Sequence, residues 1–193
     1  MIEFFFDCSS PWTWLAFHNI QPLAEEIQAE IRWRPVLLGG IFNAVNPSVQ
    51  EFRESGVPAK KAYVSKDLQD WARQAKLRIL FPPSVFPVNS CKAMRGCVGM
   101  EREGRLVPFA HAVFEAYWSR DQDISNDTVL ATLCGGVGGD PERFLEGIGR
   151  DDIKRQLRAN TEEVIARGGF GSPTIFVGGD DMYFGNDRLG LVR

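Results

Sequence analysis

The residues best suited to chemistry are two hydroxyl side chains, Ser10 and Thr13, which flank Pro11 and Trp12. Residues 2–7 are rich in aromatic and β-branched side chains and predict a buried strand that ends just before these hydroxyls. Ser10 suits the N-cap of a following helix, and Pro11 suits the first helical position, where an N–H is not needed. A hydroxyl cannot make or exchange a disulfide, but it can donate a hydrogen bond to a thiolate carried by another molecule. The sequence therefore predicts a site that positions a bound thiol.

The elements that must position these hydroxyls begin as strand, helix and strand, the second strand being predicted at residues 30–36. The middle of the chain is helical in pattern, except for residues 81–87, where three prolines predict an extended loop. The predicted helices are 60–76, 90–103, 106–117, 127–135, 141–147 and 151–167. A terminal hairpin is predicted over 173–184, and Asn186 is predicted to cap a last helix. This order predicts an α/β fold whose middle is expanded by helices.

Composition narrows the class of protein. The 193 residues are 44% hydrophobic and 24% charged, as in an ordinary water-soluble domain, and the formal net charge is −3. We therefore expect no nucleic-acid partner and, without a long apolar run, no membrane span. Because Met1 leads straight into a strand, we expect a cytoplasmic protein. The four cysteines have neither CxxC nor zinc-ligand spacing, so we expect reduced thiols and no metal, with only Cys8 near the site.

Five stretches together give the chain a specific resemblance. They are Asp7-Cys8-Ser9-Ser10-Pro11, Leu37-Leu38-Gly39-Gly40-Ile41-Phe42, Trp118-Ser119-Arg120-Asp121-Gln122-Asp123-Ile124, Phe170-Gly171-Ser172-Pro173-Thr174 and Phe184-Gly185-Asn186-Asp187-Arg188. With them the chain resembles the 2-hydroxychromene-2-carboxylate isomerases, in the kappa-class glutathione transferase branch of DsbA-like thioredoxin folds. In redox thioredoxin folds a Cys-Pro-x-Cys sequence occupies the positions of Ser10 to Thr13.

The resemblance implies a fold and a domain organisation. The fold is a thioredoxin-like α/β domain with a large all-helical insertion, the architecture of DsbA and of kappa-class glutathione transferases. The thioredoxin-like domain is expected to comprise residues 1–45 and 152–193, and the inserted helical domain residues 46–151. The family also implies a homodimer. The chain departs from the family at its end, Leu189-Gly190-Leu191-Val192-Arg193, where relatives usually continue through a full C-terminal helix.

Glutathione is the cofactor that the resemblance implies. Ser10 would hold and activate its sulfur, and Pro11 and Trp12 would line the same corner. Ser172 and Pro173 match the family's cis-proline position, where the Ser172 backbone would pair with the cysteinyl backbone of glutathione.

Other matched positions extend this predicted glutathione site. Asn186 and Asp187 would receive the γ-glutamyl end at the start of a helix, with Asp187 taking the ammonium group. Asn46 and Lys60 also match family positions that reach glutathione, across a one-residue gap near Val45.

The resemblance implies isomerisation of a small aromatic enone acid, in which 2-hydroxychromene-2-carboxylate and its ring-opened pyruvate interconvert. A kappa-type transferase, which leaves glutathione attached to an electrophile, remains open because it would use the same thiolate. The second pocket should decide between them, with contributions from Phe42, Asn43 and the region of Arg53. Asn89 and Arg95 are candidates to bind the substrate carboxylate or to hold the neighbouring loop.

Two further alternatives do not need glutathione catalysis. One is disulfide exchange through Cys8, which lies two residues before the position usual for the nucleophile. The other is a non-catalytic binding module that keeps a thioredoxin shape. A hydrolase is not expected, since neither His18 nor His111 has a Ser or Cys partner placed by the sequence.

Overall fold

The computed structural model describes the backbone of residues 1–193 and all side chains except those of residues 50 and 52–54. The elements along the chain are β1 (Ile2–Phe6), α1 (Pro11–Glu26), β2 (Ile31–Pro35), α2 (Leu38–Val45), α3 (Ser48–Ser55), α4 (Pro58–Gln74), α5 (Cys91–Glu101), α6 (Leu106–Trp118), α7 (Asp127–Gly136), α8 (Pro141–Ile148), α9 (Asp151–Ala166), β3 (Thr174–Val177), β4 (Asp181–Phe184), a 3-10 turn (Asn186–Arg188) and α10 (Leu189–Val192). No helix in the described part of the chain is long and apolar enough to cross a membrane.

The sheet has four strands in the order β2-β1-β3-β4. β1 pairs parallel with β2, so α1 makes the crossover connection that a parallel pair requires. β1 also pairs antiparallel with β3, and β3 and β4 form the predicted terminal hairpin. β1 is thus a central strand, which is why its aromatic side chains are buried on both faces.

An aromatic cluster fixes α1 and α6 on one face of the sheet. The ring of Phe17 in α1 lies 4.6 Å from that of Trp33 and 5.2 Å from that of Phe114. Phe6 of β1 packs against the same three rings. Because buried aromatic contacts hold the first half of α1, its N-terminus has a fixed position at the end of β1.

The long helices lie within two residues of their predicted bounds, whereas two short helices and the C-terminus differ. The segment 38–55, for which no individual helix was predicted, contains α2 and α3. At the C-terminus Gly185, with a φ of 94°, precedes the 3-10 turn, so the prediction that Asn186 caps a helix is wrong. The Asn186 side chain instead accepts a hydrogen bond from Asn19 Nδ2 at 2.8 Å, which joins this turn to α1.

Candidate active site

Ser10 is the N-cap of α1, as predicted. Its Oγ accepts a hydrogen bond from the backbone N–H of Thr13 at 3.2 Å, and Pro11 occupies the start of the helix. The same hydroxyl donates to the backbone oxygen of Ser172 at 3.3 Å. Ser10 is only 6% exposed, so its single proton is directed by the protein rather than by bulk water. The hydroxyl is therefore a positioned donor at the positive end of a helix.

The loop before β3 is held directly against this helix end. The Ser172–Pro173 peptide bond is cis, which confirms the expectation from the sequence. Ser172 Oγ lies 2.8 Å from Thr13 Oγ1 and accepts a hydrogen bond from the Asp7 N–H at 3.0 Å. The side-chain hydroxyls of Ser172 and Thr13 thus hydrogen bond to each other, whereas the Ser172 carbonyl oxygen accepts from Ser10.

Asp7 is a buried carboxylate that sequence reasoning missed as part of the site. Its Oδ1 accepts from the Ser9 N–H at 2.8 Å, and its Oδ2 accepts from the Leu38 N–H at 2.8 Å and from Ser90 Oγ at 3.0 Å. Complete burial raises the pKa of Asp7, and these hydrogen bonds oppose that rise. Its position at the polar end of a buried strand was the available signal. Asp7 ties the end of β1 to the starts of α2 and α5.

The first of two adjacent depressions beside Ser10, here named the polar cleft, has a volume of about 260 Å³. It is lined by Trp12, Asp67, Trp71, Ser172, Pro173, Phe184, Gly185, Asn186 and Asp187. It holds two carboxylates: Asp187 is exposed and pairs with Arg188 at 2.6 Å, and Asp67 is half-buried on α4. The sequence offered no signal for Asp67, which comes from a distant helix. The polar cleft can therefore accept a cationic ligand group.

The second depression, the aromatic cleft, has a volume of about 390 Å³. It is lined by Ser9, Ser10, Pro11, Trp12, Leu38, Phe42, Asn46, Val49, Phe81, Phe86, Phe170, Gly171, Ser172 and Phe184. Trp12, Ser172 and Phe184 line both clefts, so the two are continuous. Two aromatic pairs contribute to its walls: Phe81 with Phe86 at 5.3 Å, and Phe170 with Phe184 at 4.5 Å between ring centroids. Such walls suit a planar apolar ligand.

Of the predicted glutathione residues, all but one line these clefts. The polar cleft has Pro173, Asn186 and Asp187, the aromatic cleft has Ser10, Pro11 and Asn46, and Trp12 and Ser172 line both. The Asn46 side chain also donates to the Phe170 carbonyl oxygen at 3.1 Å. Lys60 lies exposed in the first turn of α4 and lines neither cleft, so its role stays a prediction.

The residues predicted for the second pocket are divided in the same way. Phe42 lines the aromatic cleft, whereas Asn43 is exposed on α2 and does not. The Arg53 side chain lies outside the described residues. Asn89 lines an adjoining depression of about 270 Å³, and its side chain accepts a hydrogen bond from the Cys91 N–H at 3.0 Å. Arg95 lines neither this depression nor the two clefts.

The cysteines differ from expectation in one respect. All four are free thiols, and Cys8 is completely buried, which raises its pKa well above the ordinary value. A buried, protonated thiol is a poor nucleophile, which argues against disulfide exchange through Cys8. Cys91 instead lines the adjoining depression together with Phe42 and Phe86. The prediction that Cys8 alone lies near the site is therefore wrong, because its side chain points into the core while α5 brings Cys91 forward.

Together these features define a class of protein. A β-α-β unit followed by an antiparallel hairpin, with a cis-proline loop against the N-terminus of the first helix, is the thioredoxin arrangement. The family model for the DSBA-like thioredoxin domain matches residues 1–193, and the chain belongs to this family. Ser10 and Thr13 stand at the start of its first helix, where this chain carries hydroxyls and no cysteine.

The relatives narrow the class further. The chain is 29% identical to a 2-hydroxychromene-2-carboxylate isomerase of Pseudomonas sp. (strain C18), over all of this chain and 88% of that protein. It is 27% identical to human glutathione S-transferase kappa 1, over 99% of this chain and 88% of that protein. A solved 2-hydroxychromene-2-carboxylate isomerase superposes with a TM-score of 0.84 at 27% identity, covering 99% of this chain and 91% of the other. The thiol-disulfide exchange protein alpha-DsbA2 of Wolbachia pipientis, at 16% identity and a TM-score of 0.62, shares the fold.

Proposed function

We propose that the protein is a glutathione-dependent isomerase that interconverts 2-hydroxychromene-2-carboxylate and trans-o-hydroxybenzylidenepyruvate. The observation that carries the proposal is the position of the Ser10 hydroxyl: it opens on the aromatic cleft and hydrogen bonds to Ser172, which lines both clefts. A sulfur bound beside Ser10 would thus have a polar cleft on one side and an aromatic cleft on the other. The similarity to enzymes of both isomerase and transferase type supports an enzyme.

The residues of the polar cleft fit the chemistry of glutathione. The carboxylates of Asp67 and Asp187 match an ammonium group, and Ser172 presents backbone next to an extended peptide. The Ser10 hydroxyl and the N-terminus of α1 both favour a negatively charged sulfur. When bound, glutathione supplies a thiolate that adds reversibly to a conjugated double bond, which permits rotation about that bond.

Ser10 has a defined task in this proposal. In the structure its proton goes to the Ser172 oxygen, and donating to a sulfur instead requires only rotation about the Cα–Cβ and Cβ–O bonds. The donor stabilises negative charge on the sulfur, both before bond formation and as the bond breaks again. Ser10 is therefore assigned the catalytic role, with Thr13 and Asp7 positioning Ser172.

The aromatic cleft is assigned to the substrate. The aromatic cleft provides ring surfaces for an aromatic acid. These rings are Phe81 and Phe86 of the loop at 81–87, and Phe170 and Phe184 from the C-terminal part of the chain. Burying the ring there also displaces water from the sulfur. Conjugation to an electrophile is the second candidate, and the 27% identity to human glutathione S-transferase kappa 1 favours keeping it.

The test incubates the protein with trans-o-hydroxybenzylidenepyruvate, with and without glutathione, and follows the loss of enone absorbance. We expect turnover only with glutathione and no net consumption of it, with Ser10→Ala strongly impaired. A parallel assay with chlorodinitrobenzene measures conjugation. If a conjugate accumulates while the enone absorbance stays constant, the protein is a transferase. Undiminished isomerisation after exhaustive removal of glutathione would refute the glutathione-dependent isomerase.

A further inference from the structure

The adjoining depression of about 270 Å³ is continuous with the aromatic cleft, because four residues line both. These shared residues are Ser9, Leu38, Phe42 and Phe86. The rest of its lining consists of Leu37, Gly39, Gly40, Pro87, Val88, Asn89, Ser90 and Cys91. It shares no lining residue with the polar cleft, so it is an extension of the aromatic cleft alone.

Two segments of the chain form the walls of the adjoining depression. One is the start of α2, at residues 37–42, and the other is residues 86–91, which lead into α5. Asp7 Oδ2 accepts hydrogen bonds from the Leu38 N–H at 2.8 Å and from Ser90 Oγ at 3.0 Å, so one carboxylate oxygen holds both walls. The depression is therefore formed before any ligand binds.

The lining of the adjoining depression is uncharged and mainly apolar. Its walls include the half-buried rings of Phe42 and Phe86, and none of its lining residues carries a charge. The Ser90 hydroxyl and the Asn89 side chain are already engaged in hydrogen bonds within the protein. A charged group placed there would lose hydration without gaining an ion-pair partner. The depression therefore suits an apolar ligand group.

The adjoining depression begins one residue away from the proposed position of the sulfur. Ser9 lines it and directly precedes Ser10, and consecutive Cα atoms are only about 3.8 Å apart. Because Ser9 also lines the aromatic cleft, a substituent on the sulfur meets both spaces. An electrophile whose first ring lies in the aromatic cleft therefore places its next group beside the depression.

We propose that the adjoining depression is a second subsite for the electrophile, which binds an additional ring or alkyl chain beyond the first ring. This inference rests on the proposed function, since the glutathione sulfur is what places the electrophile beside Ser9. The substrate class accordingly includes electrophiles that carry a second apolar group in line with the first ring.

The chain contains its own reporter for occupancy of this subsite. Cys91 lines the adjoining depression and is half-buried, whereas Cys8, Cys97 and Cys134 are buried. Alkylation by N-ethylmaleimide should therefore modify Cys91 first. A ligand group in the depression covers the Cys91 thiol and slows this reaction.

The experiment compares two conjugates as ligands of the intact protein: S-benzylglutathione, with one ring, and S-(biphenylmethyl)glutathione, with two. Calorimetry measures their affinities, and mass spectrometry of digested protein follows the alkylation of Cys91. We expect the two-ring conjugate to bind about tenfold more tightly, because its second ring is buried. At saturation it should slow the alkylation of Cys91 more than the one-ring conjugate does.

A matched pair of variants tests the location of the second ring. Cys91→Phe fills the adjoining depression with a ring of the protein and should abolish the preference for the two-ring conjugate. Lys92→Phe is the control, because it adds the same ring at an exposed residue that lines neither the depression nor the two clefts. Lys92→Phe should keep the preference.

The outcomes separate this inference from the proposed function. If glutathione binds but the two conjugates have equal affinity, the second subsite is refuted alone. A two-ring preference without slower alkylation of Cys91, or an equal loss of preference in Cys91→Phe and Lys92→Phe, also refutes it. If neither glutathione nor its conjugates bind, the proposed function fails and the subsite fails with it. If Cys91→Phe does not fold, the affinities and alkylation rates of the wild type decide by the same criteria.

Discussion

Replacing Ser10 by alanine should raise the pKa of the thiol of bound glutathione by about one unit. This expectation follows from the two hydrogen bonds of the Ser10 hydroxyl. A hydrogen bond to a charged group contributes roughly 1.5–3 kcal/mol, and giving up the bond to the Ser172 oxygen costs about 1 kcal/mol. The net preference for the thiolate is then about 0.5–2 kcal/mol, a range centred near one pKa unit. Where the thiolate fraction limits the rate, turnover at neutral pH should fall about tenfold.

The assay is the pH dependence of turnover, together with the ultraviolet absorbance of the thiolate in the binary complex with glutathione. Ser10→Ala also loses the cap on Thr13, which should lower the free energy of unfolding by about 1 kcal/mol. Asn126→Ala is the matched control, since Asn126 caps α7 in the same way, by accepting from the Thr128 N–H at 2.8 Å. It should lose similar stability with an unchanged thiol pKa. If both variants lose stability equally and neither alters the thiol pKa, Ser10 is only a helix cap.

Three further predictions concern the ligand clefts and the buried carboxylate. Asp187→Asn should weaken glutathione binding about fivefold by calorimetry, because an exposed carboxylate contributes about 1 kcal/mol to an ion pair. Phe81→Ala should raise the KM of the aromatic substrate about tenfold through lost ring contact, while glutathione affinity stays constant in the same assays. Burial raises the pKa of Asp7, so its contribution to stability should fall as the pH rises from about 3.9, its unfolded value, through the folded pKa. Urea unfolding of the wild type and Asp7→Asn between pH 4 and 7, with the two free energies subtracted, isolates this contribution.

Each of these has an outcome that contradicts it. For the first, Asp180→Asn in the exposed hairpin turn is the control, and equal weakening by both variants would indicate a general charge effect. For the second, a parallel loss of glutathione affinity would place Phe81 outside a separate substrate cleft. For the third, a contribution of Asp7 that is constant with pH would mean equal pKa values in the folded and unfolded chains, and one that rises with pH would mean a lower pKa in the folded chain; either contradicts the prediction.

The start of the site could be predicted because its signals are local. A buried aromatic strand, a serine and a proline at adjacent positions predict the N-cap at Ser10, and the structure has it there. Helix α2 could not be predicted, since Gly39 and Gly40 disfavour a helix locally. Its first turn is stabilised from far along the chain, where Asp7 accepts from the Leu38 N–H and Thr161 Oγ1 accepts from the Leu37 N–H.

The ligand clefts show the same division. The resemblance supplied most lining residues of the polar cleft, but Asp67 enters it only because α4 packs against α1. The end of the chain was predicted as a helix capped by Asn186, a preference that is real for an isolated segment. A contact with Asn19, more than 160 residues earlier in the chain, takes up that side chain instead. Long-range hydrogen bonds of this kind have no local sequence signal.

The single carboxylate of Asp7 has a consequence for how the walls of the aromatic cleft can change in this chain. One oxygen of Asp7 holds both the backbone at Leu38, from which α2 continues to Phe42, and the hydroxyl of Ser90, which follows the loop carrying Phe86. The distance between Phe42 and Phe86 across the aromatic cleft is therefore constrained by one carboxylate oxygen that binds both segments. Larger ligands should fit when ring side chains of the aromatic cleft are replaced by smaller ones while the backbone stays in place. A library of variants can therefore vary these rings and keep Asp7, Leu38 and Ser90.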